Sequence, residues 1–185
     1  MNNAGGGELV PLGKVGVAEY HTTFMQNASS AAYCTMAAWS GMSKVGQGGR
    51  ATIVNIASMA VYDPLPGFFA YAAAKSAVAA MTVSAAKEGA ACGIEAYCIC
   101  PGAVETPLLR SIVDTATLPT SDALVPADVA DAAIACITGD RRADNGRCIP
   151  VLPRTPAMQA WWAEWVRKNP TGWLGMEAVW GSGKP

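Results

Sequence analysis

Short apolar segments alternate along this chain with longer apolar or alanine-rich segments. The short segments predict strands at residues 51–57, 96–100 and 147–151. The longer ones predict helices at residues 17–45, 71–91 and 126–138. A glycine follows each predicted helix, at Gly46, Gly93 and Gly139. This alternation favours an α/β fold in which crossover helices join the strands of a parallel sheet.

The composition agrees with strands that are buried on both faces under helices. Hydrophobic residues make up 51% of the chain and charged residues 15%. A chain of 185 residues is expected to form one domain with an ample core. The formal net charge is −1 and the pI about 5.8, so no excess of basic residues indicates nucleic acid or an anionic membrane surface. The expected partner is a small, mostly uncharged molecule.

The sequence shows no membrane or secretion signal. No apolar run reaches the roughly 18 residues that a membrane-spanning helix needs. Residues 1–5 have neither the cationic start nor the apolar stretch of a signal peptide. A cytoplasmic protein is therefore expected.

The six cysteines lie in apolar segments and form no C-x-x-C pair. Cys98 and Cys100 alternate along a predicted strand and so share one face, where small buried side chains are favoured over a metal site or a disulfide. His21 has no second histidine with which to share a metal. No metal site is predicted, and His21 is expected on a helix surface or in the core.

Tyr71 and Lys75 are the residues with the clearest chemical meaning. They are four positions apart on a predicted helix, which places both side chains on one face within contact distance. An ammonium beside a phenol favours the phenolate, so we expect Lys75 to lower the pKa of Tyr71 below its usual value of about 10. A tyrosine with a lowered pKa can exchange a proton with an alcohol.

Several separated motifs together resemble the short-chain dehydrogenase/reductase family. In chain order they are Asn2-Asn3-Ala4-Gly5, Asn27 in a helix, Ser58 after a strand, Tyr71-Ala-Ala-Ala-Lys75, and Pro101-Gly102-Ala103-Val104-Glu105-Thr106. A lone Y-x-x-x-K is a weak signal, but the whole set at the family's spacing is a strong one over residues 1 to about 151. The resemblance implies the C-terminal portion of a Rossmann-type, doubly wound parallel sheet in residues 1–151, followed by an extension in residues 152–185.

The resemblance also implies a set of site residues and a reaction on a secondary alcohol or ketone. Ser58 would hold the substrate oxygen, Tyr71 would exchange a proton with it, and Lys75 would grip the nicotinamide ribose. Asn27 would distort its helix and free a backbone carbonyl that holds a water in a proton relay. NAD or NADP would contact Asn3, Ala4, Gly5, Tyr71, Lys75, Pro101, Gly102, Val104 and Thr106.

The same resemblance implies that the family's N-terminal, phosphate-binding half is lacking. In that half a strand, a glycine-rich turn and a helix N-terminus hold the pyrophosphate. Gly5-Gly6-Gly7 has no strand before it, so we expect a loop there. Three hypotheses stay open: an NAD(P)-dependent oxidoreductase, a non-catalytic interaction or dimerisation module, and an incomplete gene product. The alanine-rich helix after Tyr71 could pair with its twin in a homo-oligomer, or its alanines could reflect helix propensity alone.

Two further segments have expected roles around the sheet. Residues 107–124 are expected to be a substrate lid. Residues 152–185 are rich in tryptophan, and Thr155-Pro156 is a good helix opening. An apolar stripe follows at helical spacing, formed by Met158, Trp161, Trp162, Trp165 and Val166. Packing of this stripe against the sheet is favoured over a flap that covers the substrate or bridges subunits.

Overall fold

The structure, a computed structural model, describes residues 1–46 and 48–168 and the backbone of residues 179–180. Its α-helices are α1 (Val17–Phe24), α2 (Ser30–Gly46), α3 (Phe69–Gly89), α4 (Pro107–Arg110), α5 (Pro126–Thr138) and α6 (Pro156–Lys168). Its strands are β1 (Ala51–Ile56), β2 (Ile94–Pro101), β3 (Cys148–Leu152) and β4 (Val179–Trp180). The predicted strands and helices are confirmed to within a few residues, and Gly5, Gly6 and Gly7 have no regular secondary structure, as expected.

The strands form one parallel sheet in the order β1-β2-β3-β4. The outer edge of β1 is paired, among the described residues, through Asn2 alone. The Asn2 amide donates to the Val54 carbonyl over 2.8 Å, and the Ile56 amide donates back to Asn2 over 2.9 Å. The Asn2 side chain also donates to Asn55 Oδ1 at 2.7 Å. These bonds hold the start of the chain at the carboxyl end of β1.

Helices cover both faces of the sheet, and β2 shows this division directly. Cys98 and Cys100 point toward α3 and its neighbours, whereas Tyr97 and Ile99 pack on the opposite face with residues of α5. All four side chains are fully buried. Because successive side chains of a strand alternate between faces, the part of a strand that is buried on both sides must be largely apolar, which explains the apolar run from Ala96 to Pro101.

Two glycines allow the end of α2 to contact the turn that follows α3. Gly93 has a φ of +69°, which favours glycine, and a Cβ built there would collide with the Gly46 carbonyl. A Cβ on Gly46 would in turn collide with the Cys92 carbonyl. Gly46 and Gly93, which each follow a predicted helix, therefore lie against each other in the fold.

One helical segment is long and apolar enough to span a membrane, judged by length and composition alone. The prediction that the chain has no apolar run of this length is therefore wrong. Residues 69–92, which are α3 and the short 3-10 helix after it, have a mean hydropathy of 1.2 over an 18-residue window. Half of that window is buried inside the fold, where α3 lies against β2. This is the burial expected of a core helix, and the alanines that make the helix thin account for its hydropathy.

The tryptophan-rich helix α6 contacts an aromatic side chain that follows β1. Trp162 and Trp165 stack on each other with ring centroids 5.5 Å apart, and each meets Tyr62 edge to face, at 5.8 and 5.7 Å. Trp162 is buried, and Val166 at the outer side of the helix is 36% exposed. The boundary between residues 151 and 152 stays a prediction, and Trp173 lies outside the described residues.

Candidate active site

Ser58 and Tyr71 meet at the carboxyl end of β1. Ser58 follows the strand in an extended conformation, and its Oγ accepts a hydrogen bond from the Ala60 amide at 3.1 Å. Tyr71 lies in the first turn of α3, and its hydroxyl lies close enough to the Ser58 side chain for Ser58 to lower the pKa of the tyrosine. The loop between them, which contains Pro64 and Pro66-Gly67, returns the chain from the strand end to the helix start.

Lys75 lies one helical turn after Tyr71 and faces the same site. Its Nζ is 5.7 Å from the centroid of the Tyr71 ring and donates to the Ile56 carbonyl at 3.0 Å. The residue is only 5% exposed. Ser58, Tyr71 and Lys75 therefore converge, as the spacing in the sequence requires.

The expected effect of Lys75 on Tyr71 is wrong for this arrangement. Burial raises the pKa of Tyr71 above its usual value, and the nearby Ser58 side chain opposes that rise only in part. Burial also lowers the pKa of Lys75. The ammonium contacts the tyrosine ring and a backbone carbonyl, so desolvation of the phenolate outweighs its attraction to the lysine.

Asn27 lies in a π-helical turn, Met25–Ser29, that interrupts the predicted continuous helix between α1 and α2. Its Nδ2 donates to the Thr23 carbonyl at 2.8 Å and to the Gly6 carbonyl at 2.7 Å. Its Oδ1 accepts from the Gly6 amide at 3.1 Å. The side chain thus replaces helix hydrogen bonds and holds the glycine segment, which is residues 5–7, in place. π turns of this kind are frequent at functional sites.

The glycine segment lies directly on the site. Sequence analysis placed Gly5 there by resemblance but not Gly6 and Gly7. A Cβ on Gly7 would come within 2.6 Å of the Tyr71 ring. A Cβ on Gly5 would collide with Asn27 Oδ1 and lie 3.1 Å from Lys75 Nζ. Only glycine allows the backbone to approach this closely, and three successive glycines were the signal that could have indicated it.

The loop after β2 carries the other predicted cofactor residues, at the same edge of the sheet as Ser58. Pro101 is the buried last residue of β2, and the Gly102 amide donates to the Val151 carbonyl at 2.9 Å. Val104 pairs with Leu124 in an isolated parallel bridge. Thr106 caps α4: its Oγ1 accepts from the Leu109 amide at 3.2 Å and donates to the Val104 carbonyl at 3.1 Å.

A cavity of about 430 Å³ opens beside Tyr71. The glycine segment, α1, the π turn and the start of α4 form its walls. Sequence analysis missed its polar wall, in which Glu19, Thr22, Thr23 and Gln26 follow one face of the helix at intervals of three and four residues. That polar periodicity was the available signal. Leu108 and Ser111, from the expected lid, also line the cavity.

The arrangement fits the nicotinamide end of a dinucleotide. A lysine ammonium has three donors, and among the described residues the Ile56 carbonyl is the one hydrogen-bond acceptor found for Lys75. Two donors of a buried cation are thus left for another molecule, such as a sugar with vicinal hydroxyls. By contrast, no G-x-G-x-x-G turn joins a strand to a helix in residues 1–46 and 48–168, so this part of the chain offers no pyrophosphate cradle.

Comparison with known proteins identifies the family. The family model described as short chain dehydrogenase matches residues 1–117. The chain belongs to the short chain dehydrogenase family. It is 33% identical over 126 residues to the uncharacterized oxidoreductase YohF of Escherichia coli (strain K12), covering 68% of this chain and 49% of that protein. The chain therefore spans about half the length of that curated relative.

Solved structures of family members share the fold. The 3-ketoacyl-(acyl-carrier-protein) reductase of Brucella melitensis, complexed with NADH, matches with a TM-score of 0.73 and 25% identity over 80% of this chain and 62% of that one. A gluconate 5-dehydrogenase of Burkholderia cenocepacia J2315, in complex with NADP and tartrate, matches with a TM-score of 0.73 and 26% identity over 80% and 60%. The fold is a Rossmann-type α/β sheet, as predicted, and family members bind a nicotinamide cofactor.

Proposed function

We propose that this chain carries the catalytic and substrate-binding part of an NAD(P)-dependent oxidoreductase that acts on a secondary alcohol or ketone. The observation that supports this most strongly is the approach of the Ser58 side chain and the buried Lys75 ammonium to Tyr71, whose side chain lines an open cavity. A phenol with a hydroxyl and a cation beside it is suited to holding a carbonyl oxygen and giving it a proton.

The ionisation of Tyr71 favours carbonyl reduction at neutral pH. Because burial raises the pKa of Tyr71, its phenol is protonated at pH 7 and can act as a general acid. Ser58 would hold the substrate oxygen while Tyr71 donates. Alcohol oxidation needs the phenolate instead, so we expect the oxidation rate to rise as the pH increases toward and beyond 10.

When bound, the nicotinamide supplies or accepts the hydride. The two remaining donors of Lys75 would hold its ribose hydroxyls. Thr106 Oγ1 already donates to a carbonyl, which leaves a lone pair that can accept from the carboxamide. Asn3, Ala4 and Gly5, together with the loop containing Pro101, Gly102 and Val104, would line the cofactor on either side. The preference for NAD or NADP depends on residues beyond those that we assign.

Asn27 would be a positioning residue that acts through the backbone around it. Its side chain is already bonded to the backbone of Thr23 and Gly6, so the proton relay proposed for it would run through a water held by a carbonyl of the π turn. In this role Asn27 also keeps the glycine segment against Tyr71. The proton relay and the position of the glycine segment would therefore both depend on the Asn27 side chain.

The residues that line the cavity favour a substrate with polar groups. Glu8 and Glu19 line it, and among the described residues neither forms an ion pair. Val10, Val15 and Leu108 supply its apolar side. We therefore propose a hydroxy or keto substrate with an apolar body and a second hydroxyl or amino group that reaches a carboxylate.

Tryptophan fluorescence titrated with NADH and with NADPH tests the proposal. We expect saturable quenching in the wild-type chain and at least about tenfold weaker binding in Lys75→Met, which loses the ribose contact. Lys87→Met, an exposed lysine on the same helix, is the matched control and should bind as wild type does. A folded chain that binds neither nucleotide would contradict the proposal and favour the non-catalytic module or an incomplete product.

An apolar groove beside α3 supports a homo-oligomer that forms through this helix. A groove of about 440 Å³ runs between α2 and α3 and is lined by Ala32, Met36, Trp39, Met81 and Ala85 among others. Met36 is 64% exposed, which is unusual for a large apolar side chain. We propose that a second copy covers this groove in a cytoplasmic dimer. Sedimentation of Ala85→Arg should then show a monomer under conditions in which the wild type is larger.

A further inference from the structure

Three cysteine side chains meet in the core on the α3 side of the sheet. Cys98 and Cys100 come from β2, and Cys148 lies directly opposite Cys98 on β3. Their three Sγ atoms all lie within 4.8 Å of one another, and those of Cys98 and Cys100 are 3.9 Å apart. Each residue is at most 1% exposed. The sequence suggested two small buried side chains here, and the parallel register adds the third thiol.

The spacing of the sulfurs suits a metal ion at their centre. An ion equidistant from three sulfurs that are 3.9 Å apart would be about 2.3 Å from each, which is a metal–thiolate bond length. Sulfurs separated by the 4.8 Å limit would need to approach by less than about 1 Å to reach the same geometry. Side-chain rotation within an unchanged sheet can supply that movement.

The groups around the three thiols indicate how many ligands a bound ion would have, and therefore which ion fits. The Thr82 hydroxyl donates to the Val78 carbonyl and accepts from Asn55, both at 2.8 Å, and the Tyr62 hydroxyl donates to the Cys148 carbonyl at 3.1 Å. Both neighbouring hydroxyls already donate their protons, a neutral hydroxyl oxygen is a poor ligand for a soft ion beside thiolates, and burial excludes water. Structural Zn²⁺ sites take four ligands, whereas sulfur ligands in a three-coordinate setting suit Cu(I).

Charge balance also favours a monovalent ion. Lys75 is a buried cation on α3, the helix that packs against β2 on the side of Cys98 and Cys100. Cu⁺ bound by two thiolates and one neutral thiol gives a complex of charge −1, with release of two protons. The Lys75 ammonium supplies the matching +1, so no net charge is buried.

We propose that Cys98, Cys100 and Cys148 form a binding site for one Cu(I) ion. The site is separate from the substrate cavity, and it does not rest on the proposed oxidoreductase activity. Because the three sulfurs are buried, the ion enters during folding or through a local opening of the β2–β3 pair.

The test is an anaerobic titration of the reduced, full-length chain with a chromophoric bicinchoninate complex of Cu(I). We expect the protein to withdraw one equivalent of copper and X-ray absorption to show two to three sulfur neighbours at about 2.3 Å. Cys98→Ser, Cys100→Ser and Cys148→Ser should each weaken binding at least about tenfold. Cys148→Ala provides a second variant if the serine variant does not fold, as judged by circular dichroism.

The remaining cysteines provide the matched control. Cys34 and Cys92 lie at or near the surface, and Cys136 is buried alone on the other face of the sheet. A chain with all three changed to serine should still bind one Cu(I). Loss of binding in that control, unchanged binding in the Cys148 variants, or equal competition by Zn²⁺ would each overturn the proposal.

Discussion

The charged side chains at the two ends of the sheet differ in whether the fold supplies them with partners of opposite charge. At the amino ends of the strands, Glu95 is contacted by Arg50 at 2.8 Å, by the Tyr97 hydroxyl at 3.0 Å and by Arg142 at 3.6 Å. At the carboxyl ends, Lys75 is more deeply buried, and among the described residues no carboxylate pairs with it. A charge that is paired within the fold serves stability, whereas a buried charge whose donors are left over is available to a ligand.

The largest expected effect is on turnover at the carboxyl end. In any active form of the protein, Tyr71→Phe should lower carbonyl reduction by roughly 10³-fold because it removes the proton donor. The nucleotide affinity and the melting temperature should change little. Tyr33→Phe, an exposed tyrosine of α2, is the control. Full activity in the Tyr71 variant, measured by NAD(P)H consumption with a ketone panel, would discard this assignment.

A change at the amino end should act on stability instead. Glu95→Gln removes the charge that three side chains share, and we expect a melting temperature lower by roughly 5 °C. Glu164→Gln breaks the exposed pairs with Arg167 and Lys168 and should shift it by no more than about 1 °C. Thermal unfolding followed by circular dichroism compares them. Equal shifts would mean that the amino-end cluster is no stronger than a surface ion pair.

The smallest effect concerns Lys75 itself. Lys75→Met removes an unpaired buried cation, so at pH 7 we expect stability that is unchanged or higher by up to about 1 kcal/mol, even though ligand binding weakens. The folded chain has the lowered pKa, so between that value and 10.5 the unfolded chain binds more protons. The stability of the wild type therefore rises with pH in this window, by at most about 1.4 kcal/mol per pH unit.

Urea unfolding of the wild type and the Lys75 variant at several pH values from 7 to 10 measures that slope. The advantage of the methionine variant should shrink as the pH rises. Lys87→Met, exposed on the same helix, should show no such pH-dependent difference from the wild type. A constant difference between the wild type and Lys75→Met would show that the lysine keeps its proton throughout the range.

The spacing of residues in the sequence predicted which side chains meet at the site better than it predicted the pKa of Tyr71. Tyr71 and Lys75 share a helix face because they are four residues apart, and the strand before Ser58 fixes which end of the sheet they occupy. The pKa of Tyr71 could not be inferred in this way, because it depends on how much water the folded chain removes. The meeting of Cys148 with Cys98 and Cys100 depends on the register of two strands about 50 residues apart, which no local pattern encodes.

The π turn at Met25–Ser29 fits one more residue into its turn than α-helical geometry would. Deleting one residue there would restore a regular helix and leave α1 and α2 close to their present faces, because a π turn absorbs one extra residue within a single turn. The Thr23 carbonyl would regain a helix partner, and the hydrogen bonds that Asn27 donates to Thr23 and Gly6 would be lost. The contact between Asn27 and the glycine segment thus depends on a residue count, and the loss of a single codon would release that segment from the cavity wall without unfolding the helix.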